Sequence, residues 1–105
     1  MKVLHLITPI LIGLTMATAT HAEDKVLRIA MEGAFYPGNF TKPDGSLDGF
    51  EIELAKDLCT RMKVTCEIAA QDWDGLVPSL NAGKYDAIMA SMSITDKRLE
   101  VVDFS

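Results

Sequence analysis

Hydrophobic positions in this chain follow two periods, and the changes between them predict its elements. Val26 to Met31 is a short, mostly apolar run, which is typical of a strand buried on both faces. Apolar residues then recur at helical spacing from about Asp48 or Gly49 to Met62, which predicts an amphipathic helix. The apolar stripe of that helix consists of Ile52, Ala55, Leu58, Cys59 and Met62.

The same order of elements returns in the following residues. Val64 to Ala70 alternates apolar and polar positions, so it predicts a second strand with one less buried face. Asp72 or Asp74 then caps a short helix, with Pro78 near its first turn, where a missing N–H costs little. The apolar side of this helix consists of Leu76, Val77 and Leu80, and Asn81-Ala82-Gly83 ends it.

A third buried strand is predicted over Ala87 to Ala90. Strands that alternate with helices in this way indicate an α/β fold with right-handed parallel crossovers. Thr41 to Leu47 contains Pro-Asp-Gly, and it predicts a surface turn or small hairpin between the first strand and the first helix.

Polar side chains follow the third strand, at the edge where open α/β sheets collect ligands. Ser91 and Ser93 come first, and Thr95 is a suitable N-cap for a short helix over Asp96 to Glu100. Arg98 in that helix carries a planar fork that suits a carboxylate. Together these residues predict a pocket for a small carboxylate. The alternative is a surface arginine that pairs with an acid of its own helix.

The first residues have the pattern of a secretory signal. A short cationic start, Met1-Lys2, precedes a largely apolar run from Val3 to Leu14, which is shorter than the roughly 20 residues of a membrane-spanning helix. The pattern predicts cleavage after Ala22 or at a neighbouring site. Residues 1–22 are therefore interpreted as a signal peptide and residues 23–105 as the exported part.

Cys59 and Cys66 are the two cysteines of the chain, and an exported protein meets an oxidising environment. A disulfide is therefore favoured, and the chain-entropy model gives about 2.5 kcal/mol of stabilisation for so short a loop. Zinc binding and redox chemistry are weaker interpretations, because no His or acid stands at ligand spacing and the Cys-x-x-Cys pattern is absent.

Charge and the remaining chemistry argue against several classes of function. The formal net charge is −5, and it becomes more negative by one when Lys2 leaves with the signal. This balance argues against nucleic acid or an anionic membrane as a partner. His5 and His21 both fall in the signal, and no Gly-rich phosphate loop follows the first strand. We expect no metal, no cofactor and no catalysis.

Residues 86–98, Asp-Ala-Ile-Met-Ala-Ser-Met-Ser-Ile-Thr-Asp-Lys-Arg, resemble the signature of periplasmic polar amino-acid-binding proteins, the solute receptors of ABC importers. Leu27 to Ala30, Gly49 to Ala55 and Leu76 to Leu80 stand in the order and approximate spacing of that family. Within that family, the sequence most resembles the histidine and lysine/arginine/ornithine-binding branch. The resemblance implies a periplasmic-binding-protein type II-like α/β fold, whose lobes are three-layered around a mostly parallel sheet.

Such a receptor has two lobes, and residues 23–105 suffice for one small domain. We therefore expect them to be the N-terminal part of lobe 1, incomplete and without the second lobe, in a truncated fragment. Val101 to Ser105 fits the start of a further strand. The absent remainder is expected to leave an apolar face open.

The resemblance also implies a function. It implies a periplasmic receptor that binds a basic or polar amino acid, or an opine, by its α-carboxylate and distal cation. The partners would be that small molecule and an ABC permease in the inner membrane, and we expect a monomer. Two other classes use the same fold: the ligand-sensing domain of a membrane receptor or kinase, and a cyclohexadienyl-dehydratase-like enzyme of the periplasm.

The family implies roles for individual residues after the third strand. Arg98 matches the arginine that clamps the ligand α-carboxylate, helped by the backbone N–H of Ser93. Ser91 matches a residue whose carbonyl and hydroxyl help to hold the α-ammonium. Ala90 stands where the closest branch has serine, so one side-chain hydrogen bond is absent.

Three further residues belong to the predicted site. Glu32, directly after the first strand, matches an acid that meets the cationic end of the ligand, with a solvated loop carboxylate as the alternative. Phe35 matches an aromatic residue that stacks over the ligand side chain. Trp73, the single tryptophan, either lines the cleft or is a partly buried core aromatic.

Overall fold

The structure is a computed structural model, and it describes residues 25–105. The signal peptide predicted for residues 1–22 lies outside the described residues. Residues 25–105 contain six strands: β1 (Val26–Met31), β2 (Ala34–Phe35), β3 (Asn39–Thr41), β4 (Leu47–Asp48), β5 (Thr65–Ala70) and β6 (Ala87–Ile88). The three helices are α1 (Phe50–Met62), α2 (Trp73–Asn81) and α3 (Asp96–Leu99).

A parallel sheet with strand order β5-β1-β6 lies at the centre of the described part. All six residues of β1 pair with β5, and Ile29 and Ala30 also pair with Ala87 and Ile88 of β6. The two faces of β1 carry different helices, because side chains alternate along a strand. The predicted α/β fold with a mostly parallel sheet is therefore confirmed.

The alternation of β1 divides the core into two clusters. One face presents Ile29 and Met31 to α1, where they pack with Ile52, Ala55 and Cys59. The opposite face presents Ala30, which packs with Leu76 of α2, Tyr85 and Ala90. Helix, sheet and helix thus form the three predicted layers around one strand.

A small antiparallel sheet of β2, β3 and β4 connects β1 to α1. β3 and β4 form the hairpin that Pro-Asp-Gly predicts, with Lys42 N donating to Ser46 O at 2.8 Å. Asp44 Oδ1 accepts from both N and Oγ of Ser46, and Gly45 supplies a φ of 85°. Cys59 in α1 and Cys66 in β5 form the predicted disulfide, with their Cα atoms 6.0 Å apart.

Three predictions differ from the structure by more than a one-residue shift of an end. α2 begins directly after Asp72, so Pro78 is its sixth residue and lies in the second turn rather than the first. β6 ends at Ile88 rather than Ala90, because its register with β1 covers two residue pairs. Residues 101–105 form no strand, and they have no strand partner within residues 25–105.

Arg28 and Asp86 join the start of β6 to β1. Arg28 N and Nε donate to Asp86 Oδ2 at 2.9 and 3.1 Å, and Nη2 donates to Oδ1 at 2.9 Å. The side-chain hydrogen bond from Arg28, above other causes, lowers the pKa of Asp86 from 3.8 to about 2. The ionised carboxylate is thus favoured by the folded chain.

This pair makes stability depend on pH in a defined window. Because the folded pKa of Asp86 lies below its unfolded value, the stabilisation is complete above about pH 4 and is lost as pH falls towards 2. We expect Asp86→Asn to lower the unfolding midpoint near neutral pH, by a modest amount because both side chains are partly exposed. Denaturant titrations at several pH values check this. A difference between wild type and variant that stays constant down to pH 2 would contradict the assignment.

Candidate functional site

The predicted site residues lie where the parallel strands end. Glu32 follows β1 directly, and Trp73 begins α2 shortly after β5. Ser91 and Ser93 lie between β6 and α3. Since the three strands run in the same direction, all of these residues lie towards one edge of the sheet, the usual ligand edge of an open α/β fold.

Arg98 is held by the short helix α3 and by the segment that precedes it. Thr95 is the N-cap, and its Oγ1 accepts from Arg98 N at 3.2 Å, as predicted. Nη1 of Arg98 donates to the carbonyl oxygen of Ser93 at 2.8 Å and to Ser93 Oγ at 2.9 Å. The guanidinium carbon lies 5.6 Å from the centre of the Trp73 ring. The structure therefore brings three predicted site residues into contact.

These contacts bear on the two interpretations of Arg98. Within residues 25–105 the guanidinium forms no ion pair with an acid of its own helix. Its hydrogen bonds in this part all leave from Nη1, so Nε and Nη2 remain as a donor edge. Two parallel N–H groups on one edge match the two oxygens of a carboxylate. The arrangement is suited to bind a carboxylate and is held in place by Ser93 and Trp73.

Ser91 contacts a carboxylate that sequence reasoning missed. Its Oγ donates to Oε1 of Glu51, in the first turn of α1. Glu51 is 6 % exposed, and its Oε2 accepts from Nδ2 of Asn39. Ser91 itself has a φ of 51°, the left-handed region that few residues other than glycine adopt. The buried carboxylate of Glu51 thus holds Ser91 in the segment that follows β6.

The spacing along α1 contained a signal for Glu51. It precedes Ala55 by four residues and Cys59 by eight, so all three lie on one face of the helix, and all three are buried. Asn39 carried no comparable signal, although its side chain is fully buried. Its Oδ1 accepts from the backbone N–H of Gly33 at 2.6 Å, beside Glu32.

Glu32 and Phe35 form a second part of the predicted site. Glu32 is half-buried, and within residues 25–105 its carboxylate forms no hydrogen bond or ion pair. Phe35 lies in β2 with 48 % of its surface exposed. No ion pair or ring contact in the described part joins these two residues to Arg98.

Ala90 is the least accessible of the predicted site residues. It is 6 % exposed and packs against Ala30, Leu76 and Tyr85 in the core. Ala90 and Ser91 also line an open groove of about 430 Å³ that follows β6 to residues 102–105. Neither Glu32 nor Arg98 lines this groove.

Two absences hold for the part of the chain that the structure describes. No cluster of three or more His, Cys, Asp or Glu side chains there could hold a metal ion. No helix in residues 25–105 has the length and apolar character needed to cross a bilayer.

Residues 27–105 match the family model described as bacterial extracellular solute-binding proteins, family 3. The octopine-binding periplasmic protein of Rhizobium meliloti is 63 % identical over 84 residues, which are 80 % of this chain and 29 % of that protein. A periplasmic His/Glu/Gln/Arg/opine family-binding protein from Silicibacter pomeroyi, solved with lysine, is 51 % identical with a TM-score of 0.72. The match covers 75 % of this chain and 36 % of that structure.

A third comparison concerns an ancestral binding protein. An ancestral amino acid-binding protein, described as a precursor of cyclohexadienyl dehydratase, matches with a TM-score of 0.71 and 39 % identity over 76 % of this chain and 36 % of that one. The chain spans about a third of the length of these relatives. The sequence match, the lobe-like α/β fold and the arginine at the ligand edge agree, and the chain belongs to the bacterial extracellular solute-binding proteins of family 3.

Proposed function

We propose that the chain is part of a periplasmic receptor of an ABC importer that binds a basic amino acid or an arginine-derived opine. The observation that carries the proposal is Arg98, whose Nε and Nη2 edge is left as a donor pair while Nη1 is fixed on Ser93. Octopine binding by the Rhizobium relative and bound lysine in the Silicibacter structure support a ligand with both a carboxylate and a cation.

The ligand is expected to lie between the two parts of the site. Arg98 takes the α-carboxylate through two N–H groups, and the backbone N–H of Ser93 adds a third donor. Ser91 holds the α-ammonium. Phe35 offers an exposed ring face to the ligand side chain, and the free carboxylate of Glu32 meets its distal cation. Ala90 lines the wall of the pocket but forms no side-chain hydrogen bond with the ligand.

The wider role follows from the family. Residues 1–22 direct export to the periplasm, where the receptor captures its ligand between two lobes, as a monomer. The closed form then delivers the ligand to a permease in the inner membrane. A gene that continues beyond the codon for Ser105 into a second lobe supports this role, whereas one that continues into a membrane span and signalling sequence supports a sensor instead.

Binding without catalysis is part of the proposal. Residues 23–105 contain no histidine. The carboxylate of Glu51 already accepts hydrogen bonds from Asn39 and Ser91, and Glu32 is assigned to the distal cation of the ligand. A dehydratase is the other candidate, because an ancestral amino acid-binding protein of this fold is described as a precursor of cyclohexadienyl dehydratase. Incubation of the full form of the protein with a hydroxylated cyclohexadienyl carboxylate separates the two: conversion to an aromatic product with loss of water and carbon dioxide would favour the enzyme.

Glu32→Gln tests the ligand class. In the form of the protein that its gene encodes, we expect L-arginine to bind more tightly than L-citrulline, which replaces the guanidinium with a neutral urea. In the variant, the ratio of the affinity for L-arginine to that for L-citrulline is expected to fall about tenfold, because a charge-assisted contact becomes a neutral one. Isothermal titration calorimetry with both ligands measures it.

Glu67→Gln is the matched control, since Glu67 is an exposed acid on β5 away from the strand ends. It should leave the preference unchanged. Equal losses for arginine and citrulline in Glu32→Gln would remove Glu32 as a charge reader. Failure of the wild-type protein to bind arginine, lysine or octopine would overturn the proposed function.

A further inference from the structure

Glu51 is a buried carboxylate that has no cation beside it in the described part of the chain. The ion pairs within residues 25–105 do not include it, and its two oxygens each accept from one neutral donor. Burying a charge is costly unless it is hydrogen-bonded. The positive dipole end of α1, whose first turn contains Glu51, provides part of the compensation. The energetic cost of burying this carboxylate indicates that Glu51 has a functional role.

The directions of the hydrogen bonds around Glu51 follow from one backbone group and from the carboxylate itself. The N–H of Gly33 can only donate, so the atom of Asn39 that faces it is the carbonyl oxygen Oδ1. The Asn39 amide nitrogen must then point at Glu51 Oε2. A carboxylate only accepts, so the hydroxyl of Ser91 donates its proton to Glu51 Oε1.

These hydrogen-bond directions leave Ser91 Oγ able only to accept further hydrogen bonds. A hydroxyl has one proton and two lone pairs, and the proton is committed to Glu51. The lone pairs are therefore what Ser91 presents outward, and they can accept from an N–H donor but cannot donate to an oxygen. The left-handed φ of 51° at Ser91 keeps its backbone turned at this point after β6.

We propose that Glu51 is a positioning residue that fixes Ser91 as a hydrogen-bond acceptor and thereby makes the site select ligands with an α-ammonium group. The inference rests on the proposed function, because it concerns the same ligand. Glu51 does not touch the ligand and acts through Ser91. It also ties Ser91 to the loop that carries Glu32, through Asn39 and Gly33.

Glu51→Gln inverts this polarity with little change of shape. Because Asn39 Nδ2 must still meet an acceptor, the Gln oxygen faces Asn39 and the Gln nitrogen faces Ser91 Oγ. The hydroxyl of Ser91 then accepts from the Gln nitrogen, and its own O–H group points to the ligand as a donor. Every buried group keeps a partner, so the variant is expected to fold, and circular dichroism with a denaturant titration verifies that it does.

The measurement is the ratio of affinities for L-arginine and for des-amino-arginine, the guanidino acid that lacks only the α-ammonium. It is made by calorimetry on the protein as its gene encodes it. We expect Glu51→Gln to reduce the wild-type preference for L-arginine by about tenfold or more, since a charge-assisted hydrogen bond is lost. Glu53→Gln, an exposed acid on the same helix, is the control and should keep the preference.

Ser91→Gly shows whether the effect passes through Ser91. Glycine tolerates the left-handed backbone and removes the hydroxyl, so the preference should fall as in Glu51→Gln. Adding Glu51→Gln to Ser91→Gly should change it no further. If Glu51→Gln fails to fold, Ser91→Gly alone still decides: an unchanged preference overturns the proposal.

The outcomes separate the two proposals. A wild-type preference that Glu51→Gln and Ser91→Gly both abolish supports the inference. Equal weakening of both ligands, or a wild type that binds both equally well, overturns the inference and leaves the proposed function standing. A wild type that binds neither arginine nor lysine nor octopine overturns the proposed function, and the inference with it.

Discussion

Arg98→Lys is expected to weaken the binding of L-arginine by about 2–3 kcal/mol, because a point-charge ammonium cannot replace a planar fork. The wild-type guanidinium donates from Nη1 to two oxygens of Ser93 and still offers a second edge. A lysine nitrogen has three donors on one atom, so it must choose between Ser93 and the ligand. It also loses the planar surface that faces Trp73.

Agmatine, which is arginine without the carboxylate, makes this test specific. Its affinity should be low in the wild type and nearly unchanged in Arg98→Lys, because the group that Arg98 binds is absent. Lys97→Ala, a change at the neighbouring residue of α3, is the control for damage to the short helix. Unchanged arginine affinity in Arg98→Lys, measured by calorimetry, would return Arg98 to the role of a surface residue.

The fold could be predicted where the local pattern and the tertiary partners agree. β1 was predicted with its correct ends, because an apolar run buried on both faces is recognisable wherever it pairs. α1 ends at Met62 as predicted, since Lys63 takes a left-handed conformation that stops the helix. β6 was predicted too long, because the end of a strand depends on how far its partner follows it, and sequence alone does not state the register.

The contacts around Arg98 in the candidate site were predictable for a similar reason. Ser93, Thr95 and Arg98 lie within six positions of one another, so a capped turn places them together whatever the rest of the chain does. Trp73 is distant in sequence, and its contact with Arg98 needed the fold. Sequence left its role open between core and cleft, and the structure places it against Arg98 with 36 % of its surface exposed.

Glu51 and Asn39 could not be assigned in this way. A carboxylate on the first turn of a helix is usually solvated, and its burial here depends on Ser91, 40 positions away, and on a hairpin strand. Local helix propensity does not depend on such distant partners, so it cannot predict them. The helical spacing with Ala55 and Cys59 indicated the buried face, but not which donors would satisfy a charge there.

Gly49→Ala is expected to destabilise the protein by about 3 kcal/mol or more, because backbone strain and overlap add. Gly49 has a φ of 125° and a ψ of 171°, a region that residues with a Cβ rarely adopt. A Cβ built there lies 2.4 Å from the carbonyl oxygen of Gly38 and 2.8 Å from that of Pro37. Both are backbone atoms, so no side-chain rotation can relieve the overlap.

Those same two carbonyls accept the first N–H groups of α1, from Phe50 at 3.1 Å and Glu51 at 2.8 Å. A substitution that displaces them leaves helix donors without partners and moves Glu51 away from Ser91. Gly45→Ala is the matched control: its φ is 85°, and no atom lies within 4 Å of the added Cβ. It should cost about 1 kcal/mol, the strain of a left-handed residue alone. Equal losses in the two variants, measured by denaturant unfolding, would mean that the close approach at Gly49 contributes nothing.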